Sequence, residues 1–357
     1  MPTEIANIQG GGGDFPSEIT IPNTTGGNTA KVFNYRGNID WFIDLKIPTK
    51  FLVYDPGFQF SDSCQSLGDA SHLTFILYGG SCFGNFFYQC FNMPAMPNIY
   101  FTKQGAYYLN SHFEGCRKLK TIPEDYFYVK NENGMVDLNT PILSSSANFN
   151  FNSLFCDCYS LRNLPKLPFD IPDNKSPYFA YMFFECFVLD KIEDFLVPLK
   201  MTSSDDFYRT FWYCSRLKNL TFKTNSDGTP KTANWKNQTI DLTYYVGYAS
   251  SVSNITRYNS GITADKQVSD DATYQALKDD PDYWTTDINY SRYNHNSAVN
   301  TINSLPDTSA YLTANGGTNT IQFKGASGAS TDGGAINTLT EEEIAVATAK
   351  GWTVSLS

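Results

Sequence analysis

Eight cysteines are the residues of this chain best suited to chemistry. Thiolates ligate metals, exchange disulfides and act as nucleophiles when a base or positive charge lowers their pKa. Six of them, Cys64, Cys90, Cys116, Cys158, Cys186 and Cys214, recur at intervals of 26, 26, 42, 28 and 28 residues. No C-x-x-C is present. Cys156-Asp157-Cys158 puts two thiols two residues apart, where side chains on a helical turn do not face each other, so no redox pair is expected there. Neighbouring units such as those of Cys186 and Cys214 could bring thiols within the Cα separation of about 7 Å that a bridge tolerates. Buried, unreactive thiols are the simpler expectation, because free cysteine is among the most buried residue types. Cys82 and Cys156 stand outside the period.

Other reactive groups do not converge. His72, His112 and His295 are far apart in sequence, and H-x-x-x-H, G-x-S-x-G and P-loop patterns are missing. His112 reads as a filler at the rim or in the core. The carboxylate pairs Asp205-Asp206 and Asp279-Asp280 are adjacent in sequence, so their side chains diverge into caps or solvated loops. Asp332-Gly-Gly334 reads as a turn. No catalytic, metal-binding or cofactor-binding residues are therefore assigned, and a non-enzymatic protein is expected. A polysaccharide-cleaving enzyme would need paired carboxylates about 5–10 Å apart.

The elements that position the cysteines follow a local frame, Phe-x-x-Cys-x-x-(Leu/Met). It occurs at Phe87/Cys90/Met93, Phe113/Cys116/Leu119, Phe155/Cys158/Leu161, Phe183/Cys186/Leu189 and Phe211/Cys214/Leu217. Cys64 and Leu67 keep the frame with Ser61 at the Phe position, as a degenerate first unit would. A three-residue spacing puts these side chains on one face of a short helix or 3₁₀ turn. Leu217-Lys-Asn-Leu220-Thr-Phe222 then reads as a strand. A period in the twenties identifies a solenoid, since one unit cannot bury its apolar face without neighbours. The expected fold is an α/β repeat: a leucine-rich-repeat-like solenoid of short helix or 3₁₀ turn plus strand. An extended N-terminal arm precedes it and an α+β capping region follows.

Residues 1–33 read as the arm, with Gly10–Gly13, Pro16, Pro22 and a short β-like stretch at Glu18–Ile21. Residues 34–222 hold the solenoid. Its 42-residue interval is one period plus about 14–16 residues. The excess is placed at 124–150 as a hairpin, with Asn131-Glu-Asn133-Gly134 as the turn between Tyr126–Lys130 and Met135–Leu138. Residues 223–357 read as repeat continuation and cap. They include a turn-rich start at Thr224–Lys231, a strand at Ile240–Tyr244, helices at Ser269–Leu277 and Ala298–Leu305, and a strand at Thr320–Phe323. The last helix starts at the capping box Thr340/Glu343 with Leu339 and Ile344 as staple, and ends at Gly351. Glu341–Glu343 suit the positive end of its dipole.

Bulk properties restrict the partners. A formal net charge of −10 without a Lys/Arg cluster disfavours nucleic acid. No apolar run approaches the about 20 residues of a membrane span. The opening MPTEIANIQGGGGDFPSE lacks the basic and apolar regions of a secretory signal, so none is expected. Aromatic content is high, with 23 Tyr and 27 Phe, and most Phe are expected in the stacked core. Tyr178, Tyr181, Tyr208, Tyr213, Tyr244, Tyr245 and Tyr248 are the candidate contact face, since tyrosine offers rigid area and a hydroxyl. Phe87, Cys90, Phe113, Cys116, Phe155, Cys158, Phe183, Cys186, Phe211 and Cys214 are the candidate repeat core.

The repeated Phe-x-x-Cys-x-x-Leu-x-x-Ile/Leu-Pro frame, with variants such as Met182-Phe-Phe-Glu-Cys-Phe-Val-Leu189, resembles the BspA-like leucine-rich repeats of bacterial surface proteins and phage virion proteins. The tail, with Ile302-Asn-Ser-Leu305, Ile321-Gln-Phe-Lys-Gly325 and Leu339 to Val354, is similar to the C-terminal ends of such proteins. Two positions depart from the family's small or apolar residue before the Phe, namely His112 and Thr210. The resemblance implies a non-enzymatic virion protein, made in the host cytoplasm: an appendage, fibre-associated or decoration subunit. Its arm would bind other virion proteins, its solenoid would present a surface to a host glycan or protein, and a homo-oligomer is compatible with it. The alternative it implies is a bacterial cell-surface adhesin of the same repeat family.

Overall fold

A computed structural model describes residues 18–21, 48–54, 60, 68–78, 83–172, 175, 177–186, 188–189, 191–195, 209–211, 214, 217, 219–222, 224, 237, 239–242, 295–323 and 339–356. Its strands are short and almost all parallel to their neighbours. Strands β1 (Glu18–Ile21), β2 (Thr49–Val53), β3 (Leu73–Leu77) and β4 (Asn98–Phe101) form one sheet in chain order. The register is unbroken, so Phe51, Phe75 and Ile99 share one row and Val53, Leu77 and Phe101 the next. These inward rows are buried, as period-2 alternation requires of a sheet with one face on a core. Glu18–Ile21, read as part of a free arm, is the edge strand of this sheet, with Ile21 paired to Val53. The remainder of residues 1–33 lies outside the described residues.

Strands β3 and β4 are each followed by a run of tight turns whose order is the Phe-x-x-Cys-x-x-(Leu/Met) frame. Inside a unit, the Cys N–H donates to the Phe carbonyl and the Leu N–H to the Cys carbonyl. Cys116 to Phe113 is 3.0 Å and Leu119 to Cys116 is 3.2 Å, and the same pair of bonds recurs at Cys158, Cys186 and Cys214. Three-residue spacing is thus the i→i−3 period of 3₁₀ bonding. Between units, alternate N–H groups reach the next turn: Ser111 to Asn152 at 2.8 Å, Phe113 to Leu154 at 3.0 Å and Gly115 to Cys156 at 2.8 Å. Ser153, Phe155 and Asp157 repeat this toward Ala180, Met182 and Phe184. Where a short helix was allowed for, the segment is a chain of single turns. The residues two before and two after the Phe take positive φ, as in Ser153 (54°) and Asp157 (58°), and a left-handed residue ends any helix.

The side chains stack in columns across units. Phe87, Phe113, Phe155, Phe183 and Phe211 lie ring over ring at 5.4, 5.8, 5.6 and 5.7 Å, all within 11° of parallel. The first unit joins through Phe60, which stacks on Phe87 at 4.9 Å and donates its N–H to Phe86. This corrects the expectation for that unit. The Phe column is filled one residue before Ser61, so the position read as degenerate is occupied; Ser61, Cys64 and Leu67 lie outside the described residues.

Later pairings keep the parallel sense. β5 (Tyr128–Lys130) and β6 (Val136–Pro141) are the exception, an antiparallel hairpin at the expected place. The insertion projects less than expected. Tyr126, Phe127, Ile142, Leu143, Ala147 and Phe149 are buried in the core, because Gly105 bridges Leu143 in parallel and draws the returning chain back onto the stack. Only residues 131–140 stand clear of it. β7 (Lys191–Phe195) then pairs with β8 (Asn219–Phe222), and β9 (Thr239–Leu242), β10 (Asn319–Phe323) and β11 (Trp352–Ser355) form a three-stranded parallel sheet.

Helix α1 (His295–Ser304) closes the end of β8, where Thr301 Oγ1 donates to the Leu220 carbonyl at 2.9 Å. After α2 (Ser309–Asn315), α3 (Glu341–Ala349) begins at the capping box: Glu343 N donates to Thr340 Oγ1 and Thr340 N to the Glu343 carboxylate. Its C′ residue is Gly351 at φ +84°. Lys350 Nζ donates to the Asn303 carbonyl at the end of α1, where a cation suits the helix dipole. The expected helix at 269–277 and the turn-rich segments at 224–231 and 325–334 fall outside the described residues, apart from Thr224.

Candidate functional site

The thiols are consumed by the stack. Cys116 Sγ donates to the Phe87 carbonyl at 3.2 Å, Cys158 to Phe113 at 3.2 Å, Cys186 to Phe155 at 3.1 Å and Cys214 to Phe183 at 3.1 Å. Each carbonyl therefore takes the N–H of its own unit's Cys and the thiol of the next unit's Cys. All four thiols are 0% exposed, and burial pushes their pKa values up, so none is available as a thiolate. Cys90, Cys116, Cys156, Cys158, Cys186 and Cys214 are free, and Cys64 and Cys82 lie outside the described residues. Among the described residues, no group of three His, Cys, Asp or Glu is placed to hold a metal ion.

His112 is likewise a core residue. Its Nδ1 donates to the Phe83 carbonyl at 2.6 Å, and its Nε2 accepts from the Tyr126 hydroxyl at 2.7 Å. Burial pushes the imidazole down to about 3, against the smaller opposing pull of the Phe83 carbonyl. Thr210, the other polar departure at this column, donates to the Phe179 carbonyl at 3.0 Å. Phe83 and Phe179 each stand four residues before the frame Phe of their unit, so both polar residues satisfy the equivalent carbonyl.

One polar cluster spans three units. Glu114 lies beside the Ser111 and Ser153 hydroxyls, and the Asp157 and Glu185 carboxyls lie beside each other. Burial raises the pKa of Glu114 and of Asp157; the Arg117 charge opposes the shift at Asp157. The Arg117 guanidinium lies 4.5 Å over the Phe91 ring and 5.1 Å over the Tyr159 ring.

A row of tyrosines lies elsewhere, on the outer face of the four-stranded sheet. Tyr54 and Tyr78 follow β2 and β3 in register and stack at 4.6 Å, with interplanar angle 7°. Tyr100 projects from β4 on the same face, one row in. The hairpin leans over this face. Glu132 lies beside the Tyr78 hydroxyl, and burial together with that carboxylate raises Tyr78 to about 12. Lys130 Nζ sits 5.8 Å above the Tyr100 ring while paired to Asp125 at 2.8 Å. A Cβ on Gly134 (φ +77°) would meet the Tyr100 hydroxyl at 2.6 Å, so this turn needs glycine twice over. Ile76, in the row between Leu52 and Tyr100, is 0% exposed although it alternates away from the core. The hairpin that reaches both Tyr78 and Tyr100 spans its position.

Of the tyrosines singled out from sequence, Tyr178 and Tyr181 are among the described residues. Tyr178 and Tyr181 are half-buried, and Tyr181 packs edge-on against Phe184 at 5.6 Å. Tyr208, Tyr213, Tyr244, Tyr245 and Tyr248, like Asp205-Asp206 and Asp279-Asp280, lie outside the described residues. Tyr54, Tyr78 and Tyr100 carried a usable signal: each belongs to an apolar run, Phe51-Leu-Val-Tyr54, Phe75-Ile-Leu-Tyr78 and Asn98-Ile-Tyr100. Aligning those runs as parallel strands puts the first two tyrosines in one row. Among the described residues, no helix is long and apolar enough to cross a membrane. No family model, curated protein or solved structure matches the chain.

Proposed function

We propose that the chain is a non-enzymatic binding protein: a leucine-rich-repeat-like solenoid that serves as a virion structural subunit and presents its sheet face and hairpin to the host. One observation carries the binding reading. Cys116, Cys158, Cys186 and Cys214, with His112 and the Asp157/Glu185 pair, are spent on contacts between units, while Tyr54 and the hairpin tip remain exposed. A surface of rigid aromatics and a projecting turn is suited to recognition, and loops on a rigid scaffold are where binding concentrates. The virion assignment is supported by the likeness of the repeat frame and tail to BspA-like proteins.

Mass spectrometry of purified particles from the source tests the virion assignment. Detection of this chain at stoichiometric abundance is the expected result. Its absence from intact particles, with surface display on bacteria instead, overturns the assignment in favour of an adhesin. Attachment through the arm is tested by deleting residues 1–17, which leaves β1 paired to β2. The shortened chain should fold and fail to join particles, and undiminished incorporation refutes the docking arm.

A further inference from the structure

Met135 and Leu138 are the most exposed large apolar side chains among the described residues, at 69% and 65%. They sit on two consecutive turns of the hairpin, and each turn is fixed by an acceptor side chain at its start. In the first, Asn131 Oδ1 accepts from the N–H groups of Asn133 and Met135, both at 3.0 Å, and Gly134 N donates to the Asn131 carbonyl at 2.8 Å. In the second, the β5–β6 register jumps from Val129↔Asp137 to Tyr128↔Pro141, which loops out Leu138, Asn139 and Thr140. Asp137 closes that loop, accepting from Asn139 N at 3.0 Å and from Thr140 Oγ1 at 2.6 Å. The base is held by the half-buried Lys130–Asp125 pair, with Glu132 beside Tyr78. Two apolar side chains are thus held out on turns that lose little further freedom on binding, the condition under which a small contact area yields affinity.

Resting on the host-contact reading above, we infer that Met135 and Leu138 anchor the hairpin in an apolar socket of a host-surface protein whose rim carries basic side chains. Methionine is enriched at protein interfaces and adapts its shape to a pocket. The basic rim follows from charge: residues 131–140 hold Glu132 and Asp137 and no Lys or Arg. A sugar would stack on an open aromatic face, but the tip has no aromatic residue, and Tyr54 and Tyr78 each give one face to the other. Nucleic acid and anionic lipid are repelled by the same two carboxylates.

The test is flow cytometry of host cells with the fluorescently labelled full chain, in wild-type form and as Met135→Ser/Leu138→Ser. Both side chains are exposed, so the variant should keep the wild-type circular dichroism and Tm, and this is measured alongside. Cells are used untreated, protease-treated or periodate-oxidised. Expected are at least a tenfold loss of cell-bound signal for the variant, loss of wild-type binding after protease, and retention after periodate. Glu132→Lys should also weaken binding, and added salt should weaken the wild type. Equal binding by the double variant overturns the anchor while leaving host contact intact. Loss after periodate but not after protease overturns the protein partner in favour of a glycan. No binding by the wild-type chain overturns host contact itself and this inference with it.

Discussion

Replacing His112 by Thr should cost several kcal/mol at neutral pH and far less in acid. Threonine is the informative replacement because Thr210 occupies the equivalent column and donates to the equivalent carbonyl. The variant keeps a donor for Phe83 and loses two things. The ring stacked on Phe86 at 5.2 Å disappears, a core truncation of about 2–3 kcal/mol. The Tyr126 hydroxyl loses its acceptor, costing about 1–3 kcal/mol in a buried site. A loss of roughly 4 kcal/mol is expected at about pH 7.5, where His112 is neutral in both states. In wild type, the folded imidazole protonates only near about 3, whereas the unfolded one protonates below 6.5. The unfolded chain therefore binds the extra proton in that window. His112's stabilisation is complete above pH 6.5 and declines as pH falls toward 3. One pH unit is worth about 1.4 kcal/mol, so wild type should lose about 3 kcal/mol between pH 6.5 and roughly pH 4 that the variant does not lose. Urea unfolding followed by intrinsic fluorescence across this range, plotted as wild type minus variant, isolates His112, because every other titrating group is common to both. The gap should narrow from about 4 to about 1 kcal/mol. A gap that stays constant within about 0.5 kcal/mol would falsify the neutral, buried, doubly bonded histidine.

The carboxyl cluster shifts stability in the opposite sense. Asp157 has a raised folded pKa, so its contribution is present below its ordinary value of 3.8 and is lost as pH rises through the folded value. Asp157→Asn should therefore gain Tm relative to wild type on going from acid to neutral pH, and a pH-independent difference refutes the buried carboxyl pair. Cys158→Ala removes a buried sulfur and its bond to Phe113, at about 1–2 kcal/mol in chemical denaturation. Cys158→Ser should recover part of this because the hydroxyl keeps a donor; a serine variant no better than alanine argues against the thiol bond. Cys90, Cys116, Cys158, Cys186 and Cys214 should resist iodoacetamide in the native protein and react once unfolded, as read by peptide mass spectrometry. Rapid native labelling of any of them contradicts the stack. Gly115→Ala forces a side chain onto φ +80° with Cβ 3.2 Å from the Gln89 Cα, so a loss of at least about 1 kcal/mol is expected, and a neutral result means the turn can relax.

Periodic features were legible in the sequence because stacked units repeat one burial pattern. Phe113, Cys116 and Leu119 are equivalent to Phe155, Cys158 and Leu161 in sequence and in the stack. The hairpin turn at Asn131–Gly134 and the capping box at Thr340/Glu343 were legible because each is a local rule carried by a few residues. Phe60 was missed because the first unit spaces its Phe four residues from Cys64, and only the ring stacking reveals the slip. His112 and Thr210 looked like departures from an apolar column; their reason is a carbonyl in the preceding unit, 29 and 31 residues away. Glu18–Ile21 looked free because its partner strand begins at Thr49, beyond any local pattern. The tyrosine row on the outer sheet face was not read from sequence for a related cause. Tyr54 and Tyr78 are 24 residues apart and meet only through strand register.

The hairpin is the one long break in the period, and the stack is indifferent to it. Phe113 and Phe155 flank the insertion and still stack at 5.8 Å, against 5.4–5.7 Å elsewhere in the frame column. The thiol bond across it, Cys158 to Phe113, is 3.2 Å, like the others. Closing a loop longer by about 15 residues costs only a fraction of a kcal/mol to about 1 kcal/mol, so the ladder tolerates it without needing it. Residues 126–127 and 142–149 have been recruited into the core, yet 131–140 have not, and there the chain holds Met135 and Leu138 out to solvent. Packing explains the recruited part completely. It gives no reason for apolar side chains fixed outside it, nor for a glycine that lets the tip close over Tyr100. A segment that folding does not require, held rigid by Asn131, Asp137 and Glu132, is where selection for a partner would act. The cysteine period identifies the scaffold and, by its interruption, the part of the chain that the scaffold carries.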